Sequence, residues 1–120
     1  MSENSSNESV PIVHLRPQPL PADVAERIPR LFPSEADGVA RQLSQLRHED
    51  SRLCGDRIIR CIVFCASHYP GTNMDQWIEQ ARKDYRDLIV SAEYDRAYNQ
   101  LRDFNRPFRD EDFERHSSQV

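Results

Sequence analysis

The sequence has 120 residues, which suits a single domain. Apolar residues make up 38% and charged residues 30%, the balance of a soluble globular protein, and no apolar run approaches the ~20 residues that cross a bilayer. The formal net charge is −4, although arginine supplies every basic residue except Lys83, and this acidic balance disfavours nucleic-acid binding.

Both ends of the chain are predicted to lie outside the helical domain. Residues 1–20 begin with MSENSSNESVP, which lacks the basic start and apolar centre of a secretory signal, so we expect a cytoplasmic protein. Further along they become rich in proline and predict a disordered or extended arm. At the other end, residues 106–120 follow a break at Pro107 and predict a charged flexible tail. The helical domain is therefore expected at residues 21–105.

Two helices are expected first. The stretch ADVAERI predicts a short helix that Pro29 ends, because proline has no N–H for the helical hydrogen bond. The stretch SEADGVARQLSQLRHE predicts a longer amphipathic helix with Ser34 as its N-cap. Its apolar residues follow the spacing of one helix face: Ala36, Val39, Ala40, Leu43 and Leu46.

The third predicted helix runs from about Ser51 to His68 and contains GDRIIRCIVFCASH. A strand is the alternative, since β-branched residues are frequent here, but strict alternation would place Arg60 on the apolar face. Asp50 or Ser51 is the expected cap, and YPG is the expected stop. Because its apolar arc is wide, this helix is predicted to be the central one.

The stretch TNMDQWIEQARKDYRDLIVSA predicts the clearest amphipathic helix, capped by Thr72 or Asn73. A second apolar stripe follows it: Tyr94, Ala97, Tyr98, Leu101 and Phe104. Its members fall on a different side of the helix from the first stripe, so one straight helix would bury two faces. We therefore expect a break or bend near Ser91 to Glu93, which leaves open whether residues 74–104 form one helix or two.

Part of this helix, ARKDYRDLIVSAEY at residues 81–94, resembles a segment of small uncharacterised bacterial helical proteins. The resemblance implies a bacterial, cytoplasmic origin and carries over no functional residue. Asp84 and Asp87 in the same stretch have a spacing found in some acid–base and metal sites. Solvated ion pairs with Arg82 and Arg86 are the favoured interpretation of these carboxylates.

The cysteines are the main candidates for chemistry. Cys54, Cys61 and Cys65 fall on one side of the third predicted helix, and His68 lies close to them. Cys61, Cys65 and His68 could meet one metal ion, but a structural zinc site normally takes four ligands, and the chain has no CxxC pair. Reduced cysteine packs as a small hydrophobe. We therefore predict core packing for the cysteines, with a metal site or a redox-active thiol as alternatives, and no catalytic or cofactor-binding residues.

The sequence as a whole predicts an all-α protein, a small bundle of four to five helices with disordered or extended termini. The expected function is a non-enzymatic protein-interaction or accessory role, because a Pro-rich arm with apolar residues suits docking to a protein partner. The apolar residues of the arm are Val10, Ile12, Val13, Leu15 and Leu20. One alternative is a metal-binding or thiol-redox protein using Cys61, Cys65 and His68, and a weaker one is an arginine-mediated nucleic-acid binder. We expect no membrane partner and no cofactor, and the oligomeric state stays open.

Overall fold

The computed structural model describes residues 19–113, and this part of the chain contains four α-helices. They are α1 (Ala22–Leu31), α2 (Ala36–Glu49), α3 (Asp56–His68) and α4 (Met74–Glu93). One-turn 3-10 helices lie at Ser51–Leu53 and Asp110–Phe113. The predicted all-α bundle is therefore confirmed. The predictions that concern residues 1–18 and 114–120 lie outside the described residues.

The central element is α3, in which every residue from Ile58 to Cys65 is buried. Its most extensive contact is with α4, and it also packs against α1. Leu43 from α2 and Leu88 from α4 are fully buried in the same core. A helix that is apolar around most of its circumference needs neighbours on several sides. The predicted central position of this helix is thus confirmed.

The predicted end of α1 and the predicted start of α2 are corrected. Helix α1 continues past Pro29 to Leu31, because an exposed proline in the last turn removes only one backbone hydrogen bond, and the Phe32 N–H still donates to the Ile28 carbonyl (2.8 Å). Ser34 does not cap α2, which begins at Ala36 after a turn.

The third predicted helix is divided at its start. Its first three residues form the 3-10 helix, and the Asp50 carboxylate caps this turn by accepting a hydrogen bond from the Arg52 N–H (3.0 Å). Helix α3 begins only at Asp56, so Cys54 lies in the connection rather than on the helix. At the other end α3 stops at His68, as predicted, and Gly71 supplies the positive φ of 82° in the following turn.

Helix α4 begins as predicted, with Asn73 and Gln76 forming a reciprocal capping box. Its backbone leaves helical geometry at Asp84 (φ −160°, ψ 99°). The Asp84 carboxylate there accepts a hydrogen bond from the Arg86 N–H (3.0 Å), so it caps the second half of the helix. This kink was not predicted. The expected break near Ser91 to Glu93 is the end of α4, since the helix stops at Glu93.

The second apolar stripe, residues 94–104, is not a helix. Phe104 is fully buried, whereas the side chains of Tyr98 and Leu101 are exposed. The chain folds back here because the buried Glu93 carboxylate accepts a hydrogen bond from the Phe104 N–H (3.0 Å). The apolar spacing predicted a helix, but the hydrogen bond between Glu93 and Phe104, eleven residues apart, holds the chain in a loop.

Glu93 is the most deeply buried of the acidic and basic residues in the described part of the chain, with no exposed surface. Arg57 donates two hydrogen bonds to its carboxylate, from Nε (3.0 Å) and from a terminal nitrogen (2.6 Å). Gln100 and the Phe104 N–H donate to the same group. A buried carboxylate needs such donors, because an unpaired charge in the core is strongly destabilising.

A second buried ion pair joins α3 to α1. Arg60 is buried and donates two hydrogen bonds to Asp23 (2.9 and 3.1 Å) and a third to the Phe104 carbonyl (3.1 Å). The backbone N–H and C=O of Phe104 are therefore both bound by side chains, Glu93 for the first and Arg60 for the second. Phe104 is in this way the point at which the two ion pairs meet.

The described part of the predicted C-terminal tail, residues 106–113, packs against the bundle. The Phe108 N–H donates to Asp23 (2.9 Å), and Arg106 donates to both carboxylate oxygens of the buried Asp112 (2.8 Å each). Phe108 and Phe113 of this segment join Phe64 of α3 and Phe104 in one aromatic cluster, whose ring pairs are tilted or edge-to-face. Charge is frequent in this segment because its carboxylates and guanidinium groups pair with each other and with α1.

We expect the substitution Glu93→Ala to lower the free energy of unfolding by about 3 kcal/mol, since it leaves Arg57 and the Phe104 N–H without their partner. Glu93→Gln keeps the shape of the side chain and should lose less. Urea unfolding followed by circular dichroism measures both. Glu26→Ala, which removes an exposed pair with Arg30, is the control and should change stability by less than about 0.5 kcal/mol. If Glu93→Ala lowers the free energy of unfolding by less than about 1 kcal/mol, the Glu93–Arg57 pair is not needed for stability.

Stability should fall in acid through Asp23 and Asp112. Burial, the largest single influence, would raise the pKa of each carboxyl. The hydrogen bonds from Arg60 and the Phe108 N–H to Asp23, and from Arg106 and the Arg109 N–H to Asp112, together with the arginine charges, outweigh it, so both pKa values are lowered. Such groups stabilise the fold fully above their unfolded pKa, near ~3.9, and this contribution disappears as the pH falls through the lowered folded value. Urea unfolding from pH 6 to pH 2 should therefore show a loss that begins below about pH 4. The decline should be shallower in Asp112→Asn, and an equal slope in that variant would contradict this assignment.

Candidate functional site

Two of the three cysteines lie in the core, as predicted. Cys61 and Cys65 are fully buried on α3, and burial raises the pKa of both thiols. The Cys61 thiol faces the Glu93 carboxylate, with 3.9 Å between Sγ and Oε2. Cys54 is half-buried in the connection before α3, where its thiol donates to the Ser51 carbonyl (3.2 Å). A raised pKa leaves little thiolate at neutral pH, and thiolate is the reactive form.

The proposed metal ligands are held by packing interactions. The His68 ring stacks on Phe64 (4.7 Å between centroids) and meets the edge of Tyr69 (4.9 Å). Within residues 19–113, no three side chains of histidine, cysteine, aspartate or glutamate are grouped so that they could hold a metal ion. The metal and redox alternatives for Cys61, Cys65 and His68 therefore gain no geometric support from the described residues.

The other polar candidates have structural roles. Asp84 caps the second half of α4 and pairs with Arg86 (3.3 Å). Asp87 is exposed. Trp77 stacks on Tyr69 (5.4 Å between centroids), and its indole N–H donates to the Thr72 hydroxyl (2.9 Å), so it anchors the start of α4. These contacts are typical of packing rather than of an acid–base site.

A site that the sequence reasoning missed follows α4. Residues 94–101, here named the Tyr98 turn, form a compact loop organised by one carboxylate. Asp95 accepts hydrogen bonds from the N–H groups of Ala97 (2.8 Å) and Asn99 (2.9 Å), and its own N–H donates to the Asn99 carbonyl (3.0 Å). A side chain that binds the backbone of its own turn in this way fixes the conformation of the loop.

The base of the Tyr98 turn is tied to the core. The Glu93 carbonyl accepts hydrogen bonds from the N–H groups of Leu101 (2.6 Å) and Arg102 (3.2 Å). Gln100 forms a bridge with Tyr94 and donates through its side chain to the Glu93 carboxylate (3.2 Å). The loop is therefore anchored to the same buried residue that pairs with α3.

Tyr98 stands at the tip of this loop with an unusual backbone. Its φ is +63°, in the left-handed region that costs a non-glycine residue about 1 kcal/mol or more. Its side chain is 73% exposed, more than any other large apolar residue in the described part of the chain. Leu101 nearby is also exposed, and no carboxylate among residues 19–113 pairs with Arg96. The loop thus holds an aromatic ring in solvent at a conformational cost.

The signal for this turn was present in the sequence. The stretch DRAYN places an aspartate four residues before an asparagine, and both residue types favour turns and tolerate left-handed backbone. The apolar spacing of Tyr94, Tyr98 and Leu101 also matches a helix face, and that pattern led to the wrong assignment. Only the tertiary contacts of Glu93 separate these two interpretations.

Neither the comparisons with known proteins nor a search for membrane-spanning helices assigns a function to the chain. No protein-family model, no curated protein and no solved structure matches the chain. Each helix within residues 19–113 is either too short or too polar to traverse a bilayer. The exposed ring and the positive φ of Tyr98 make the Tyr98 turn the best candidate site on geometric grounds.

We expect the two buried thiols to react slowly with an aromatic disulfide reagent in the native protein, because the core shields them from the reagent and their raised pKa leaves little thiolate. Cys54, which is half-buried, should react first. In urea all three thiols should react at similar rates. Mass spectrometry of the labelled peptides assigns each rate. Rapid native labelling of Cys61 or Cys65 would contradict core packing and favour the redox alternative.

Proposed function

We propose that this chain is a non-enzymatic protein-interaction domain that binds its partner through the Tyr98 turn. The observation that carries this proposal is the exposed ring of Tyr98, held at a positive φ by a loop whose base is bonded to the core. Strained residues persist where the surrounding structure holds them, and they concentrate at functional sites. A cytoplasmic location, expected from the N-terminal sequence, is part of the same proposal.

Rigidity makes the turn suitable for binding. Tyrosine and arginine are enriched among the residues that dominate the binding energy of protein interfaces. A loop whose backbone is already held in its bound conformation loses little conformational entropy on association. The hydrogen bonds of Asp95 and Glu93 provide this pre-organisation for the backbone that carries Tyr98.

The residues beside the ring define the chemistry of the partner. Arg96 is exposed and has no carboxylate partner within residues 19–113, so it is available for an acidic side chain. Leu101 adds apolar surface next to the base of the loop. The partner is therefore a protein surface with an apolar slot for the Tyr98 ring and a carboxylate that reaches Arg96.

The Pro-rich arm remains a second proposed contact for a partner. Its apolar residues up to Leu15 lie outside the described part of the chain. Its described end joins the bundle, where Leu20 packs against the core and the Pro19 carbonyl accepts a hydrogen bond from Arg47 (2.9 Å). The arm therefore leaves the domain beside α2, whereas the Tyr98 turn follows α4.

The substitution Tyr98→Asn tests the proposal. Asparagine tolerates a positive φ, so the fold should be as stable as the wild type or more stable by up to about 1 kcal/mol. Loss of the ring should weaken binding by about thirtyfold, the effect of removing a residue worth ~2 kcal/mol. Immobilised wild-type and variant chains are compared by quantitative mass spectrometry of the proteins they retain from an extract of the source organism, and the affinity of the retained partner is then measured.

Two matched variants complete this experiment. Tyr98→Phe keeps the ring and should retain the partner, and Tyr85→Asn removes a tyrosine that is 40% exposed on α4 without affecting binding. If Tyr98→Asn retains the same proteins with the same affinity as the wild type, the Tyr98 turn is not the binding site.

A further inference from the structure

A groove between α2 and α4 is an open concavity that the Tyr98 turn does not use. It encloses about 630 Å³ and continues into a shallower depression at the starts of the two helices. Its floor is formed by Leu46 and Ile78, which belong to the core. Between Gly38 and Glu49 it runs for about 16 Å along α2, at 1.5 Å per helical residue.

Polar side chains connect the two walls of this α2–α4 groove above its apolar floor. Gln42 donates a hydrogen bond to Asp75 (2.5 Å), and Arg82 lies 3.7 Å from Glu49. Exposed bridges of this kind contribute little stability and exchange readily with other polar partners. A ligand that offers equivalent polar groups can therefore replace them at small cost.

Gly38 shapes one wall of the groove. Glycine inside a helix costs about 1 kcal/mol relative to alanine. A Cβ atom placed at Gly38 would meet no other atom within 4 Å, so no packing contact requires the glycine. Gly38 is exposed, so the absent side chain leaves a notch open to solvent on the wall that lines both parts of the groove.

The charge of the groove is predominantly negative. Across its two parts carboxylates outnumber guanidinium groups by four to two: Glu35, Glu49, Asp75 and Glu79 against Arg41 and Arg82. Within residues 19–113, no cation pairs with Glu35 or Glu79. Unpaired carboxylates along a concave surface attract a basic ligand.

We propose that the α2–α4 groove binds a basic helical segment of a partner protein. Lysine or arginine side chains of that segment pair with Glu35 and Glu79, and one apolar side chain enters the notch at Gly38. A helix laid between two others buries its contact face in this way, and the groove is long enough for about three turns. This interaction surface is separate from the Tyr98 turn. The groove binds a basic segment, whereas Arg96 beside Tyr98 is proposed to bind an acidic side chain.

The probe for this surface is a fluorescein-labelled helical peptide of 14 residues, with lysines on one face, a single leucine among them and alanines elsewhere. A counterpart with glutamate in place of lysine controls for charge. Titration into the ¹⁵N-labelled chain should give saturable shifts of the Gly38, Gln42 and Glu79 amides with the lysine peptide and none with the glutamate peptide. Shifts spread over the whole acidic surface, or none in the groove, would overturn the proposal.

Substitutions in the chain give the second arm of the test. Glu79→Lys should weaken binding of the lysine peptide at least tenfold, whereas Glu26→Lys on α1, outside the groove, should change it by less than threefold. Gly38→Leu fills the notch and should also weaken binding, although the folded chain stays at least as stable because the added atoms meet open space. If Glu26→Lys is as damaging as Glu79→Lys, the peptide is responding to net charge alone and the groove is not its site.

Discussion

The burial of Glu93 is the constraint on which the second half of this structure depends. A carboxylate at the C-terminal end of α4 has no water to solvate it, so each of its acceptor positions must be filled by protein. Arg57 fills two positions from α3, and the Gln100 side chain and the Phe104 N–H fill others. Satisfying one charge thus determines where α4 ends, where the chain reverses and where Phe104 enters the core.

Ion pairs of this kind specify a structure more than they stabilise it. Removing two charges from water costs several kcal/mol, and good geometry recovers about that much. The arginines of the Glu93–Arg57 and Asp23–Arg60 pairs lie three residues apart on α3. Glu93 binds the N–H of Phe104, and Arg60 binds its carbonyl. An apolar core alone would accept several placements of the chain after α4. These directional bonds leave only one.

The same bonds connect the core to the proposed binding loop. Glu93 binds the base of the Tyr98 turn through its carbonyl and its carboxylate, while Asp95 organises the tip. The backbone of Tyr98 is thus linked to a buried charge by a few hydrogen bonds, and these fix the place from which its exposed ring extends into solvent. The surface that we propose to recognise a partner is in this sense an extension of the packing around α3.

The sequence by itself determined the parts of this protein that depend on local pattern. The apolar spacing identified four helical segments, and the cap of the fourth was narrowed to Thr72 or Asn73. The wide apolar arc of the third segment identified the central helix with its buried cysteines. These features follow from helix geometry and from side chains within a few residues of each other, which is the range that a sequence pattern reports.

The tertiary structure alone decided the features that depend on distant partners. A strand was rejected because it would place Arg60 on the apolar face. Arg60 is nevertheless buried on the helix, because Asp23 on another helix and the Phe104 carbonyl accept its hydrogen bonds. The spacing of Tyr94, Tyr98 and Leu101 suits a helix, but Glu93 turns the chain into a loop. The candidate site could not be predicted for the same reason: whether a charged residue lies in the core or in solvent depends on partners that the sequence pattern does not place beside it.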